Sequence, residues 1–211
     1  MKKVKIILKQ FKDIEYLRAL LVSLFFLLIA MIVNFYAGTY ATENASFPVT
    51  DIILSNINVY DVDGIFNYVP IVFVVFLFFI CLYKPKRLPF VIKSLALFVV
   101  IRSIFITLTH IGPFPTQSII YSESLIGKFT FTGDLFFSGH VGVPFLLALI
   151  FWDNKYFRYL FILYSIFMGI IVLMGHYHYS IDVLSAYFIT YTIFHITLYL
   201  FKNDRKMFIE S

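Results

Sequence analysis

Six apolar stretches, separated by short polar segments, set the pattern of the chain. They run roughly over residues 17–36, 65–83, 89–110, 138–152, 156–175 and 178–201. Five of them hold about 20 residues, which at a helical rise of 1.5 Å per residue cross a hydrocarbon core about 30 Å thick. The fourth is shorter, so it tilts little or begins a few residues earlier. The pattern predicts an all-α fold, a six-helix transmembrane bundle. It forms a single integral membrane domain over residues 1–211, with a basic tail at 1–15, a core at 16–201 and a C-terminal tail at 202–211. The first stretch lacks the short apolar core and small-residue cleavage site of a signal peptide, so it is read as a retained helix. No internal repeat, Gly/Ser-rich linker or low-complexity segment interrupts the series.

Composition agrees with this pattern. Hydrophobic residues make up 61% of the 211 positions and charged residues 14%, against about 25% charged in a soluble domain. Cytoplasmic connections retain Lys and Arg, and these residues are unevenly shared. Lys2, Lys3, Lys5, Lys9, Lys12 and Arg18 lie at the N-terminus, and Lys84, Lys86, Arg87 and Lys93 between the second and third stretches. Lys155 and Arg158 follow the fourth stretch, and Lys202, Arg205 and Lys206 close the chain. If six crossings alternate, fifteen of the 17 basic residues fall on one side. The opposite loops hold Lys128 and six acids: Glu43, Asp51, Asp61, Asp63, Glu123 and Asp134. Both termini are therefore expected in the cytoplasm. The net charge of +5 comes from juxtamembrane clusters rather than a basic stripe, so no nucleic-acid partner is expected. Cys81 is the single cysteine, and no disulfide framework exists.

An ionisable residue inside a spanning helix is a functional candidate, because burying charge in a bilayer is costly. Arg102, two-thirds of the way along the third stretch, is one such residue; a phosphate or carboxylate partner explains it better than snorkelling to the interface. A second candidate is Thr132-Gly-Asp-Leu-Phe-Phe-Ser-Gly-His140, leading into the fourth stretch from the same side. Ser138 suits a helix N-cap, Gly139 admits close backbone approach, and the free amides there favour an anion. A third is Gly175-His-Tyr-His-Tyr-Ser-Ile-Asp182. His178 and Asp182 are four residues apart, which on a helix places them on one face. The carboxylate can then accept Nδ1–H and leave Nε2 to attack. His176 has only Ser180 at that spacing. Two histidines, an acid, an arginine and a helix N-terminus suit phosphoryl transfer through a phosphohistidine, with one histidine attacking phosphorus and the other protonating the leaving oxygen. His110 and His195 read as ordinary helix histidines.

At these residues the chain resembles the sphingomyelin synthase family, within the type 2 phosphatidic acid phosphatase superfamily. Gly133-Asp134 with Ser138-Gly139-His140 resembles that family's Gly-Asp…Ser-Gly-His motif. His178-Tyr179-Ser180-Ile181-Asp182-Val183, with Ala186-Tyr187, resembles its His-Tyr-x-x-Asp-Val…Ala-Tyr motif. Arg102 with Thr109, and Pro48-x-x-Asp51, are similar to two further elements less closely. The resemblance implies a catalytic triad of His140, His178 and Asp182 on the non-cytoplasmic face. Arg102, Asp134, Ser138, Gly139 and Tyr179 are expected to contact substrate. No metal or other cofactor is expected, because two histidines and an arginine already supply nucleophile, acid and charge stabilisation. It implies transfer of a phospho-headgroup from a phospholipid donor to a ceramide-like lipid alcohol, with release of diacylglycerol. Thr132, where the family commonly has cysteine, and Val141, where it has threonine, depart from the pattern, and the N-terminal extension is shorter than in some members. Three other readings stay open. Water can replace the alcohol, giving a lipid phosphatase or phospholipase C. His140, His176 and His178 can bind zinc in a metal-dependent hydrolase. A transporter can use the same polar cluster.

Overall fold

The computed structural model describes residues 13–117 and 135–210, which are helical throughout their regular structure. The helices are α1 (Ile14–Glu43), α2 (Asp63–Tyr83), α3 (Leu88–Leu108), α4 (Gly139–Ile150), α5 (Lys155–Met174), α6 (Ser180–Leu200) and α7 (Lys202–Ile209), with a 3-10 turn at Pro85–Arg87. Five helices are long and apolar enough to cross a membrane, and α4 is the shorter apolar one. The expected fourth span is thus a 12-residue helix, about 18 Å long. That length does not cross a hydrocarbon core by itself. Its residues Leu146, Leu147, Ala148 and Ile150 are fully buried, because α3, α5 and α6 surround it.

α1 is longer than its apolar stretch suggests, 30 residues. Asp13 caps it by accepting from the amides of Glu15 and Tyr16. Its buried face is Tyr16, Ser23, Ala30 and Ala37, spaced every seven residues, and it packs chiefly on α3. Small side chains on such a stripe let two membrane helices approach closely, where dispersion rather than hydrophobicity drives association. The remaining faces, rich in Leu, Ile and Phe, are exposed. α2 buries Phe66, Phe73, Leu77 and Cys81; Phe73 stacks on Tyr164 of α5 with ring centroids 4.1 Å apart.

Residues 202–209, within the expected C-terminal tail, form α7, whose Asp204 and Phe208 are buried. Arg205 donates to the carbonyl of Ile150 at the end of α4, and Phe208 packs on Phe90 and Phe151. Lys93, counted above among the charges of the second connection, lies inside α3 and pairs with Asp204 at 2.6 Å. Both side chains are buried. Removing one member of such a pair strands the other. Lys93→Met is therefore expected to destabilise the fold by roughly 3–5 kcal/mol, measured by thermal unfolding in detergent. The double variant K93M/D204L should recover most of that loss; equal loss in both would show that the charges themselves are not the cause.

Candidate active site

At the end of the bundle away from α7, three segments meet: the second half of α3, the turn into α4, and the turn into α6. Arg102 of α3 is buried, 8% exposed, and its Nε donates to the carbonyl of Phe137 at 2.9 Å. Phe137 holds that carbonyl in place at a positive φ of 21°, a strained value for a side chain of this size. Its ring is fully buried, edge-on to Phe98 and Phe105. A Cβ built on Gly139 would lie 3.4 Å from Arg102 Nε, so the guanidinium lies against the first turn of α4. Ser138 is the N-cap residue of α4, as expected, but its side chain makes no capping bond. Its hydroxyl is buried without a partner among the described residues. The amide of Ser138 instead donates to the carbonyl of Asp182 at 3.1 Å, tying the start of α4 to α6.

His178 departs from the expected arrangement. It precedes α6 rather than belonging to it, because Tyr179 is the N-cap and Asp182 the third residue of a capping box. One Asp182 carboxylate oxygen, Oδ2, accepts the Tyr179 amide at 2.9 Å and stands 3.5 Å from His178 Nδ1. The nearer acceptor for Nδ1 is the carbonyl of Leu135, at 2.9 Å. A carbonyl has no proton to give, so this bond requires Nδ1 to carry the hydrogen and leaves the lone pair on Nε2. The tautomer is thus set by the chain before α4, while Asp182, wholly buried, supplies charge and caps the helix. The other carboxylate oxygen, Oδ1, is buried without a hydrogen-bond partner among the described residues.

His140 is the second residue of α4, next to Gly139, whose Cα faces the Arg102 guanidinium. Its ring packs on Phe66 of α2 with centroids 4.3 Å apart. Phe66 in turn stacks on Tyr177 at 4.1 Å, whose hydroxyl donates to the Asp63 carboxylate. Tyr179, expected to contact substrate, donates its hydroxyl to the carbonyl of Gly112 and accepts from the amide of Val49, which joins the segments that follow α1 and α3. His176 is held by Thr116, with Oγ1 and Nδ1 2.6 Å apart, at a φ of 53°. Asp134, with Thr132 and Gly133, lies outside the described residues. His110 packs on Tyr40, and His195 on Tyr191 and Phe194. Among the described residues no group of three or more His, Cys, Asp and Glu could hold a metal ion.

Asp51 has a larger part than its place in an outer loop suggested. One oxygen accepts from both the amide and the hydroxyl of Ser180 at 2.7 Å, and the other accepts from the amides of Ile53 and Leu54. Burial alone would raise its pKa. The Ser180 hydroxyl and the Leu54, Ser180 and Ile53 amides outweigh that effect and hold the carboxyl below its ordinary range. Two carboxylates, Asp51 and Asp182, therefore occupy the amides that open α6. The start of α4, with Arg102 beside it, has no carboxylate bonded to it among the described residues. Of the two helix N-termini at the site, that of α4 is the one suited to an anion.

A depressed folded-state pKa contributes stability that is present above the unfolded value and lost as pH falls. Asp51→Asn is thus expected to lower stability at neutral pH by roughly 2 kcal/mol. It should also flatten the loss that the parent protein shows below about pH 4. Thermal unfolding across pH checks both; an unchanged acid limb would assign that limb to other carboxylates.

Residues 132–199 match the family model described as PAP2 superfamily C-terminal. The matched segment contains His140, His178 and Asp182 and takes in α4, α5 and nearly all of α6; Arg102 and Asp51 lie before it. The match supports the type 2 phosphatidic acid phosphatase superfamily, whose members are phosphatases or phosphotransferases, and so an enzyme of the phosphoryl-transfer kind. No curated protein and no solved structure matches the chain.

Proposed function

We propose that this protein is a membrane lipid phosphotransferase of the sphingomyelin synthase type. It moves a phospho-headgroup from a glycerophospholipid to a ceramide-like alcohol through a phosphohistidine. The observation that carries the reading is the placement of His178, His140 and Arg102 around the N-terminus of α4, which has no carboxylate bonded to it among the described residues. His178 Nε2 attacks phosphorus as the bond to the diacylglycerol oxygen breaks, and His140 delivers the proton that oxygen needs. Diacylglycerol leaves. His140 then takes the proton of the incoming hydroxyl, whose oxygen attacks phosphorus and releases His178. Arg102 and the first amides of α4 hold the equatorial oxygens, whose charge grows as phosphorus becomes five-coordinate.

The same reading places one integral membrane domain in the bilayer with six crossings, α4 completing the fourth together with the residues before it. Both termini are cytoplasmic and the site opens to the other side. The charge asymmetry supports this. Arg87 and Arg205 gather around Phe208 at one end of the bundle, and the phosphate-binding residues lie at the other.

Purified protein incubated with headgroup-labelled phospholipid, with and without ceramide, tests the reading. Label transferred to ceramide, with matching diacylglycerol, is the expected result. Label released only to water, with or without ceramide, would make the protein a phosphatase or phospholipase C. Activity should survive a chelator. Loss restored by zinc would replace the phosphohistidine with a metal-activated water, and absence of any product would favour a transporter.

A further inference from the structure

The connection between α1 and α2 is apolar where a loop facing water is ordinarily polar. Half of the fourteen residues from 47 to 60 are large hydrophobics at least 37% exposed. Phe47 and Ile52, at 86% and 83%, are the two most exposed large hydrophobic side chains described. Singly exposed hydrophobics are ordinary on a surface, but a contiguous run marks something that covers it. The segment contains no Lys, Arg, Glu or His, and its one acid, Asp51, is buried.

The segment does not project for want of structure. Asp51 caps a turn in which the Ser55 amide donates to the Asp51 carbonyl at 2.9 Å and the Asn56 amide to that of Ile53 at 3.0 Å. Leu54 points inward, 2% exposed, and packs with Leu135 and Tyr179, while Asp51 anchors the turn to Ser180. The inward face is apolar and already satisfied, while the outward one carries the large hydrophobics together with exposed Thr50, Ser55, Asn56 and Asn58. At either end the chain continues into helices whose outward residues, Tyr36 and Tyr40 on α1 and Ile65 and Tyr68 on α2, are exposed on the surface read here as bilayer-facing. Continuity with that surface identifies the cover as lipid. Irregular backbone needs water or protein for its polar groups, which keeps it out of the hydrocarbon centre. The boundary between headgroups and acyl chains meets both demands.

We propose that residues 47–60 are embedded in the leaflet that holds the candidate site, with Phe47 and Ile52 inserted among the acyl chains. Because the turn is bonded to Ser180, two residues from His178, it brings bilayer lipid to the site without passage through water. The second half of this statement rests on the phosphotransferase reading; insertion itself does not.

The test uses Phe47→Cys and Ile52→Cys in a C81S background, each labelled with an environment-sensitive fluorophore and reconstituted in phosphatidylcholine vesicles. Both labels should emit at short wavelength, be quenched by lipids brominated near the carboxyl end of the acyl chain, and resist iodide. Label at Asn203→Cys should do the opposite. Labels at 47 and 52 quenched by iodide and indifferent to brominated lipid would overturn insertion. Protection from both quenchers would assign the face to a second copy or another protein, and overturns it too. For access, F47S/I52S is expected to lose roughly tenfold in turnover of vesicle phospholipid. Its turnover of a water-soluble p-nitrophenyl phosphodiester should stay unchanged, which also shows that the variant is folded. Undiminished vesicle turnover would overturn the access role. If the parent protein turns over neither donor, the phosphotransferase reading fails while the fluorescence result still decides insertion.

Discussion

His178→Ala is expected to abolish turnover of every donor and to form no covalent phospho-enzyme. His140→Ala should fail only where the leaving oxygen needs a proton. A p-nitrophenyl phosphodiester provides the separation, because p-nitrophenolate departs unprotonated at neutral pH. On that donor His140→Ala should keep first-step activity and accumulate phosphohistidine, since the base for the second step is gone. On natural phospholipid its turnover should fall by roughly 10²–10⁴-fold. The physical ground is the Leu135 carbonyl bonded to His178 Nδ1, which leaves Nε2 of that ring as the nucleophile. The same bond alters what Asp182→Asn should do. Tautomer no longer depends on the carboxylate, so the loss comes from the missing charge 3.5 Å from the ring and from a weakened cap on α6. A drop of roughly a hundredfold is expected, smaller than for His178→Ala. Exchange of behaviour between the two histidine variants would invert the roles and keep the site. Full activity of both on natural lipid would sink the phosphotransferase reading.

Arg102→Lys should lower turnover roughly a hundredfold at near-normal expression. The lysine keeps a positive charge but loses the planar fork that grips two phosphate oxygens. It also loses the Nε donor that binds the Phe137 carbonyl. Two effects are therefore combined, and they are distinguishable. Loss of phosphate grip leaves the helical far-ultraviolet signal and thermal unfolding unchanged, whereas loss of the Phe137 bond lowers the unfolding temperature. Full activity of the lysine variant would make Arg102 a structural tie between α3 and the turn before α4.

The membrane class and five of the helices were legible because they depend on local signals. Hydrophobic run length decides what can span, and Ser-Gly-His or His-x-x-x-Asp is visible within a few residues. Even the small-residue stripe of α1, Ser23, Ala30 and Ala37, is written at a spacing of seven. Misreadings arose where a residue's partner is distant in the chain. His178 and Asp182 looked like a helical pair, yet the capping box placed the helix start between them. Nothing local distinguishes a histidine on the first turn from one just before it. Lys93 looked like a loop cation and is a buried partner of Asp204, 111 residues away. Residues 202–209, within the expected C-terminal tail, fold as α7, because Arg205, Asp204 and Phe208 find the bases of α3 and α4.

What the sequence determined by itself was therefore the solvent of the protein and its helical class. Run length and side-chain character settle those without reference to neighbours. Only the tertiary structure decided that Leu135 sets the tautomer of His178, that Asp51 fills the start of α6, and that Phe66 packs against His140. Each of these is a contact between segments far apart in the chain, with 43 positions between Leu135 and His178 and 129 between Asp51 and Ser180. Such a contact depends on where whole helices come to rest against one another. Small residues on α1, aromatic rings between α2 and α5, and the buried Lys93–Asp204 pair at α7 fix that arrangement together, and no local spacing records it.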